Sequence, residues 1–258
     1  MAVESCQLST DMARYKLILA YDGTAFAGSQ RQAKHRTVQG ELEKVLCGLG
    51  WSGRSVTLAG RTDAGVHASG QVAAFDLEWK HSLEALLRAL NARLPADMAA
   101  SEIEIAGEKF HPRFDAASRC YRYRLYCGQV RDPLRERMAW RVWPAINGGS
   151  LGELAKSFLG QHDFAAFGSA PQAESSTVRT MSVSEWKRLS RDEWQFDVRA
   201  DAFLYHMVRR LVFVQVAVGQ GRCEKEAVVR TLERPQSKSV IPAGLAPAHG
   251  LTLVEVTY

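Results

Sequence analysis

Polar and apolar residues alternate along this chain with two periods, and the changes from one period to the other mark out its elements. Tyr15, Leu17, Leu19 and Tyr21 alternate with Lys16, Ile18 and Ala20, a two-residue period that predicts a strand ended by the turn Asp22-Gly23. Behind Thr37, a good N-cap residue, Val38, Leu42, Val45, Leu46 and Leu49 recur on one face of a helix. Arg54 to Leu58 and Val72 to Leu77 read as strands on either side of Ala59 to Gln71, which has no period and reads as a loop. Ser82 opens a second helix with Leu83, Leu86, Leu87 and Leu90 inward and Pro95 as its stop; Ser101 to Ala106 is a short strand. After Phe110-His111-Pro112-Arg113-Phe114 the order repeats. Arg119 to Cys127 alternates as a strand, and Ser150-Leu151-Gly152-Glu153 is a capping box for a helix reaching Leu159. Met181 to Leu189 and Trp194 to Ala200 form a hairpin, Ala202 to Val218 an apolar helix, Glu224 to Glu233 a small helix, and Leu251 to Tyr258 a last strand.

Each half therefore reads β-α-β-β-α-β. The predicted class is α+β, two ferredoxin-like halves with antiparallel sheets side by side, residues 1–110 and 111–258. No sequence identity between the halves supports a duplication.

Composition narrows the function classes. The 258 residues are 46% hydrophobic and 24% charged, ordinary for a globular protein. Lys and Arg number 33 against 28 Asp and Glu, and the resulting +5 favours polyanionic partners. Cys6, Cys47, Cys120, Cys127 and Cys223 form no C-x-x-C pair and the seven histidines are scattered, so neither a disulfide framework nor a zinc site is indicated, and a reducing cytosol fits. Met1 to Arg14 lacks the apolar core of a signal peptide. Ala202 to Val218 holds His206, Arg209 and Arg210, which makes it a buried helix rather than a membrane span. No Walker A loop, no G-x-G-x-x-G after a strand and no H-E-x-x-H occurs. Tyr21-Asp22-Gly23-Thr24 is similar to part of the aspartyl-phosphate phosphatase motif, but Ala20 stands where the nucleophile belongs.

Three groups of residues could carry chemistry. The loop A-G-R-T-D-A-G-V-H-A-S-G-Q sets Arg61 and Asp63 among small residues, so that something large can approach the carboxylate closely; an aspartate beside glycine also commonly bonds its own backbone. Counted at 100° per residue from Phe203, His206, Arg209 and Arg210 fall in one stripe of an otherwise apolar helix. An enclosed guanidinium needs a carboxylate, and Asp63, Asp197 and Asp201 are the candidates, unless the stripe faces water. Tyr121 and Tyr123 share one face of their strand and Arg122 and Arg124 the other, which suits a half-buried strand or an aromatic stacked on a base beside phosphate-binding cations. Basic residues in Arg31 to Arg36 and Arg131 to Arg141 could extend such a track.

From Tyr15 to its end the chain resembles the TruA-type tRNA pseudouridine synthases. The resemblance rests on Y-D-G-T at Tyr21, T-V-Q at Thr37 and above all A-G-R-T-D-A-G-V-H-A at Ala59. F-H-P-R-F at Phe110, R-C-Y-R-Y-R at Arg119, H-D-F-A-A-F at His162, F-L-Y-H-M-V-R at Phe203 and A-P-A-H-G-L at Ala246 add to it. It implies isomerisation of uridine to pseudouridine in the anticodon stem-loop of tRNA at positions 38, 39 and 40, without cofactor or metal. It also implies a cytoplasmic homodimer, with no membrane partner and an active-site cleft between the halves. The family's aspartate matches Asp63, its tyrosine Tyr121 and its helix arginine Arg209; Arg61, Tyr121 and His67 are carried over as substrate-binding residues. Ser29 replaces the usual Trp, so that a packing or RNA contact is expected to be lost. Phe213 replaces a common glycine, which brings close helix packing into question, and Asp201 replaces the usual Asn, adding an acid near Arg209. The alternatives are the same chemistry at another tRNA uridine, or a silent tRNA-binding or RNA-folding protein, which would have no need of the carboxylate.

Overall fold

The computed structural model describes residues 12–170, 174–235 and 241–258. The chain is a mixed α/β protein with five α-helices among these residues. It divides into two compact units that part between Ala116 and Ala117.

In the first unit, strand β1 (Ala13–Tyr21) is followed by helix α1 (Val38–Cys47), β2 (Thr57–Leu58), β3 (His67–Leu77), α2 (Leu83–Asn91) and β4 (Met98–Ile105). All pairings are antiparallel and the strand order is β4-β1-β3-β2. The alternation read in β1 sends Tyr15, Leu17, Leu19 and Tyr21 into the core, and the Tyr15 ring stacks on Phe75 of the paired strand at 5.6 Å. Thr37 caps α1 by accepting the Gly40 N–H, and Ser82 caps α2 by accepting that of Ala85. Asn91 ends α2 and ties it to the sheet: its side chain accepts from Ala100 N at 2.9 Å and donates to Ala100 O at 2.8 Å.

Two elements differ from the expectation. The strand expected over Arg54 to Leu58 shrinks to Thr57–Leu58, because Glu43 Oε1 takes the Val56 N–H at 2.9 Å and Gln39 Nε2 donates to the Val56 carbonyl at 3.1 Å. Side chains of α1 thus use backbone groups that a longer β2 would need. Strand β3 starts at His67 rather than Val72, as Tyr21 pairs with Ala68 and Leu19 with Gln71; the irregular loop is Ala59 to Val66.

The second unit runs β5 (Ser118–Cys127), β6 (Trp140–Val142), α3 (Gly148–Lys156), β7 (Gly160–Asp163), β8 (Val178–Arg188), β9 (Glu193–Ala200), α4 (Met207–Gly219), α5 (Lys225–Glu233) and β10 (Leu251–Thr257). The strand order is β10-β5-β9-β8-β7, all antiparallel, with β6 added parallel to the end of β5. One face of the sheet is apolar, with Tyr121, Tyr123, Leu125, Phe196 and Val198 buried. Helices pack on β8 and are fixed by polar bonds: Ser184 Oγ donates to Ala155 O of α3 at 2.7 Å, and the Trp186 indole donates to Gln215 Oε1 of α4 at 2.9 Å. Gln215 is fully buried, and its amide also donates to Leu211 O, so its polar atoms are satisfied inside an apolar helix. On the opposite face Arg122 Nε meets the nearly buried Asp197 carboxylate at 2.8 Å.

The capping box expected at Ser150 does not form. Asn147 is the N-cap, accepting from Gly149 and Ser150 N–H, and α3 starts three residues earlier, at Gly148. Helix α4 begins at Met207, so Ala202 to His206 lie outside it. No helix among the described residues is long and apolar enough to cross a membrane.

Candidate active site

The loop Ala59 to Val66 is gripped by the structure behind it. Its entry is fixed by Gln71, fully buried, whose amide donates to Gly60 O at 2.9 Å and accepts from Gly60 N at 3.2 Å. Its middle is fixed at Thr62. The Thr62 hydroxyl bonds the buried Tyr21 hydroxyl at 2.8 Å, its N–H donates to Ser29 Oγ at 2.8 Å, and its carbonyl accepts from Ser29 N at 3.0 Å. The exit is fixed by Val66 N donating to Asp63 O at 3.1 Å, and by the close passage of Gly23, where a Cβ would run into the Val66 carbonyl. Thr62 turns inward and is 7% exposed, while its neighbours Arg61, exposed, and Asp63, half-buried, carry the loop's charges.

His67 lies behind this loop. Its ring is 1% exposed and Nδ1 accepts the Gly23 N–H at 3.0 Å. Asp22 Oδ1 is 3.2 Å from the same nitrogen and accepts from Thr24 N and Oγ1.

Ser29, which stands where the family usually has Trp, makes polar contacts of its own. It is fully buried, brackets Thr62 with two hydrogen bonds, and its carbonyl accepts from Gln39 N of α1 at 2.9 Å. Nothing in the sequence around Ser29 announces these bonds, since Thr62 lies far along the chain. Ser29→Ala is expected to leave the Thr62 N–H unsatisfied, at about 1–3 kcal/mol of stability. Thermal unfolding of the variant should show the loss; an unchanged melting temperature would contradict this role.

In the second unit, the carriers of candidate chemistry gather at the start of α4. Tyr121 is 8% exposed and meets Phe203 edge to face at 5.1 Å. Two residues along the same face, the Tyr123 hydroxyl donates to Pro247 O at 2.8 Å; burial pushes its phenol well above the usual range, and the Arg209 charge acts in the opposite direction. Arg209 is oriented by Ala246: Nε donates to Ala246 O at 2.8 Å, and Ala246 N donates to Arg209 O at 3.1 Å.

The expected stripe of three cations breaks up. His206 is not in the helix; it holds φ 65 before α4, with its ring stacked on Tyr205 at 3.7 Å. Arg210 finds backbone carbonyls, of Pro242 and of Gly244 at 3.0 Å, in place of a carboxylate, and burial lowers its pKa. The competing acids are engaged as well: Asp197 holds Arg122 and Gln195, and Asp201 Oδ1 accepts from Thr180 N and Ala202 N. Phe213 lies parallel to Trp140 at 6.4 Å and close over Gly244, where a Cβ would strike its ring. Among the described residues no group of three His, Cys, Asp or Glu is placed to hold a metal ion.

Comparison with known proteins adds an independent line. The family described as tRNA pseudouridine synthase matches residues 17–115 and 154–258. The chain is 42% identical over 248 residues to the tRNA pseudouridine synthase A of Chloroflexus aurantiacus, covering 94% of this chain and 87% of that one. Against the protein of the same name from Limosilactobacillus fermentum it is 38% identical over 251 residues, covering 96% of each. Against that of Geobacter sp. (strain M21) it is 38% identical over 254 residues, covering 96% and 99%.

Proposed function

Because this chain belongs to the tRNA pseudouridine synthase family, and so is an isomerase of uridine in tRNA, we propose that its targets are positions 38 to 40 of the anticodon stem-loop and that Asp63 is the acting carboxylate. The observation that carries the choice of Asp63 is the grip on its neighbour. Thr62 is bonded to Tyr21 and Ser29, which sets the Asp63 side chain on a rigid base, as a group that must meet one atom of a large substrate requires.

The reaction breaks the N1–C1′ bond, turns the uracil while it is held, and joins C5 to C1′; C5 gives up its proton and N1 ends protonated. Atoms and electrons balance without a redox partner. A carboxylate can attack C1′ or stabilise a cationic sugar and then take a proton, and both attack and elimination to a glycal are compatible with Asp63 in that role. A stacked base hides these atoms, so the nucleotide has to flip out. In this reading Tyr121 packs on the flipped uracil, Arg61 holds the flipped state, and Arg209 supplies positive charge to the Asp63 carboxylate. His67, enclosed behind the loop, serves the substrate indirectly by holding Gly23.

The reading includes two ferredoxin-like halves, 1–110 and 111–258, with the catalytic cleft between them. With the short β6 and β7 set aside, the orders β4-β1-β3-β2 and β10-β5-β9-β8 match and support it, since each half then places the first and third of its four strands at the centre of its sheet. A cytoplasmic homodimer working without cofactor completes it. The test is carbodiimide-stopped primer extension on tRNA transcripts treated with the protein. Stops at positions 38 to 40 are expected; stops confined to other uridines would refute the target.

A further inference from the structure

A second feature of the first unit lies outside the Asp63 loop. The segment Arg31 to Thr37, the outer side of α1 and Gly53-Arg54 enclose an open cavity of about 950 Å³. Five of its lining residues are Lys or Arg (Arg31, Lys34, Arg36, Lys44 and Arg54) and two are Glu (Glu41 and Glu43).

The ion pairs separate structural cations from available ones. Arg31 Nη1 is held by Glu43 Oε2 at 2.8 Å. Arg36 forks onto Asp97 at 2.6 and 2.9 Å and lies over the Phe26 ring at 4.2 Å. Lys44 meets Glu41 at 3.1 Å. The segment is pinned further by Gln32 Nε2 donating to Ala27 O at 2.7 Å and by Ala27 N donating to Arg36 O at 2.9 Å. Lys34 and Arg54, both exposed, make no ion pair or side-chain hydrogen bond among the described residues. Two free cations therefore stand on a rigid, concave and otherwise neutralised rim.

The geometry points to this cavity as a docking site for the sugar-phosphate backbone of the RNA substrate, with Lys34 and Arg54 each meeting a phosphate away from the modified nucleotide. The cavity is too wide and open for one small anion and suits a stretch of phosphodiester chain, whose contacts position without reading sequence. The pinned segment keeps the ordering cost low, since its backbone is fixed before RNA arrives. This inference rests on the tRNA reading above.

The test uses the full chain and an unmodified tRNA transcript. Lys34→Glu combined with Arg54→Glu is expected to raise KM for tRNA by about tenfold or more near 0.1 M salt, with little change in kcat, and to make the slope of log Kd against log salt shallower by about two. Lys80→Glu combined with Lys109→Glu changes the net charge equally outside the cavity and is expected to move KM by less than about twofold, since phosphate contacts act locally under salt screening. An unchanged KM and salt slope in the first pair, or equal losses in both pairs, would overturn the docking site and leave the synthase reading intact. Failure of the unaltered protein to form pseudouridine would strike that reading instead, while the binding slopes would still decide the cavity.

Discussion

Asp63→Asn is expected to reduce pseudouridine formation by about ten-thousand-fold, in the range seen when a nucleophile is removed from an active site, with tRNA affinity changed little. The amide has the shape of the carboxylate but neither attacks C1′ nor accepts the C5 proton. The loop itself should survive the change. It has anchors that do not use the Asp63 side chain: the Thr62 bonds to Tyr21 and Ser29, the Gln71 bonds to Gly60, and the Asp63 carbonyl accepting from Val66 N. Single-turnover product analysis beside filter binding would check both halves. Turnover near that of the unaltered enzyme would remove Asp63 from the mechanism.

Arg209→Ala is expected to lower kcat by about a hundredfold or more, the scale of losing a fixed charge at a reacting centre, and its neighbour provides the control. Arg209 and Arg210 both hydrogen-bond backbone carbonyls, of Ala246 in one case and of Pro242 and Gly244 in the other. Each substitution to Ala should therefore cost stability, about 1.5–3 kcal/mol for a bond from a charged donor. Only Arg209 is assigned a charge at the reacting centre. Measured at a temperature where both variants are folded, kcat should collapse for Arg209→Ala and stay near normal for Arg210→Ala. Equal losses of kcat would mean that Arg209 acts only by supporting the Ala246 segment.

The parts legible in the sequence were those with a long period or a capping residue of one plain meaning. Strand β1, helices α1 and α2 with Thr37 and Ser82, the hairpin of β8 and β9, and β10 follow from alternation and caps that local backbone bonds obey. Strands β6 and β7, of three and four residues, exist because partners at β5 and β8 are present, and nothing in so few residues announces that. Arg54 to Val56 has strand composition, yet Glu43 and Gln39, distant in sequence, claim its backbone. His206 left the helical stripe because the backbone turns left-handed there, a conformation that periodicity does not reveal in a non-glycine residue. At the candidate site, Asp63 is singled out by its small-residued loop and by the family motif, whereas the bond of Ser29 to Thr62 is visible only once the chain is folded.

The most direct measurement of the central claim is tritium release from tRNA labelled at uridine C5. The account predicts that the unaltered protein, with no cofactor added, releases label in step with pseudouridine formed, because the C5 proton has to leave as C5 bonds to C1′. Bound tRNA that keeps its label through prolonged incubation would contradict it.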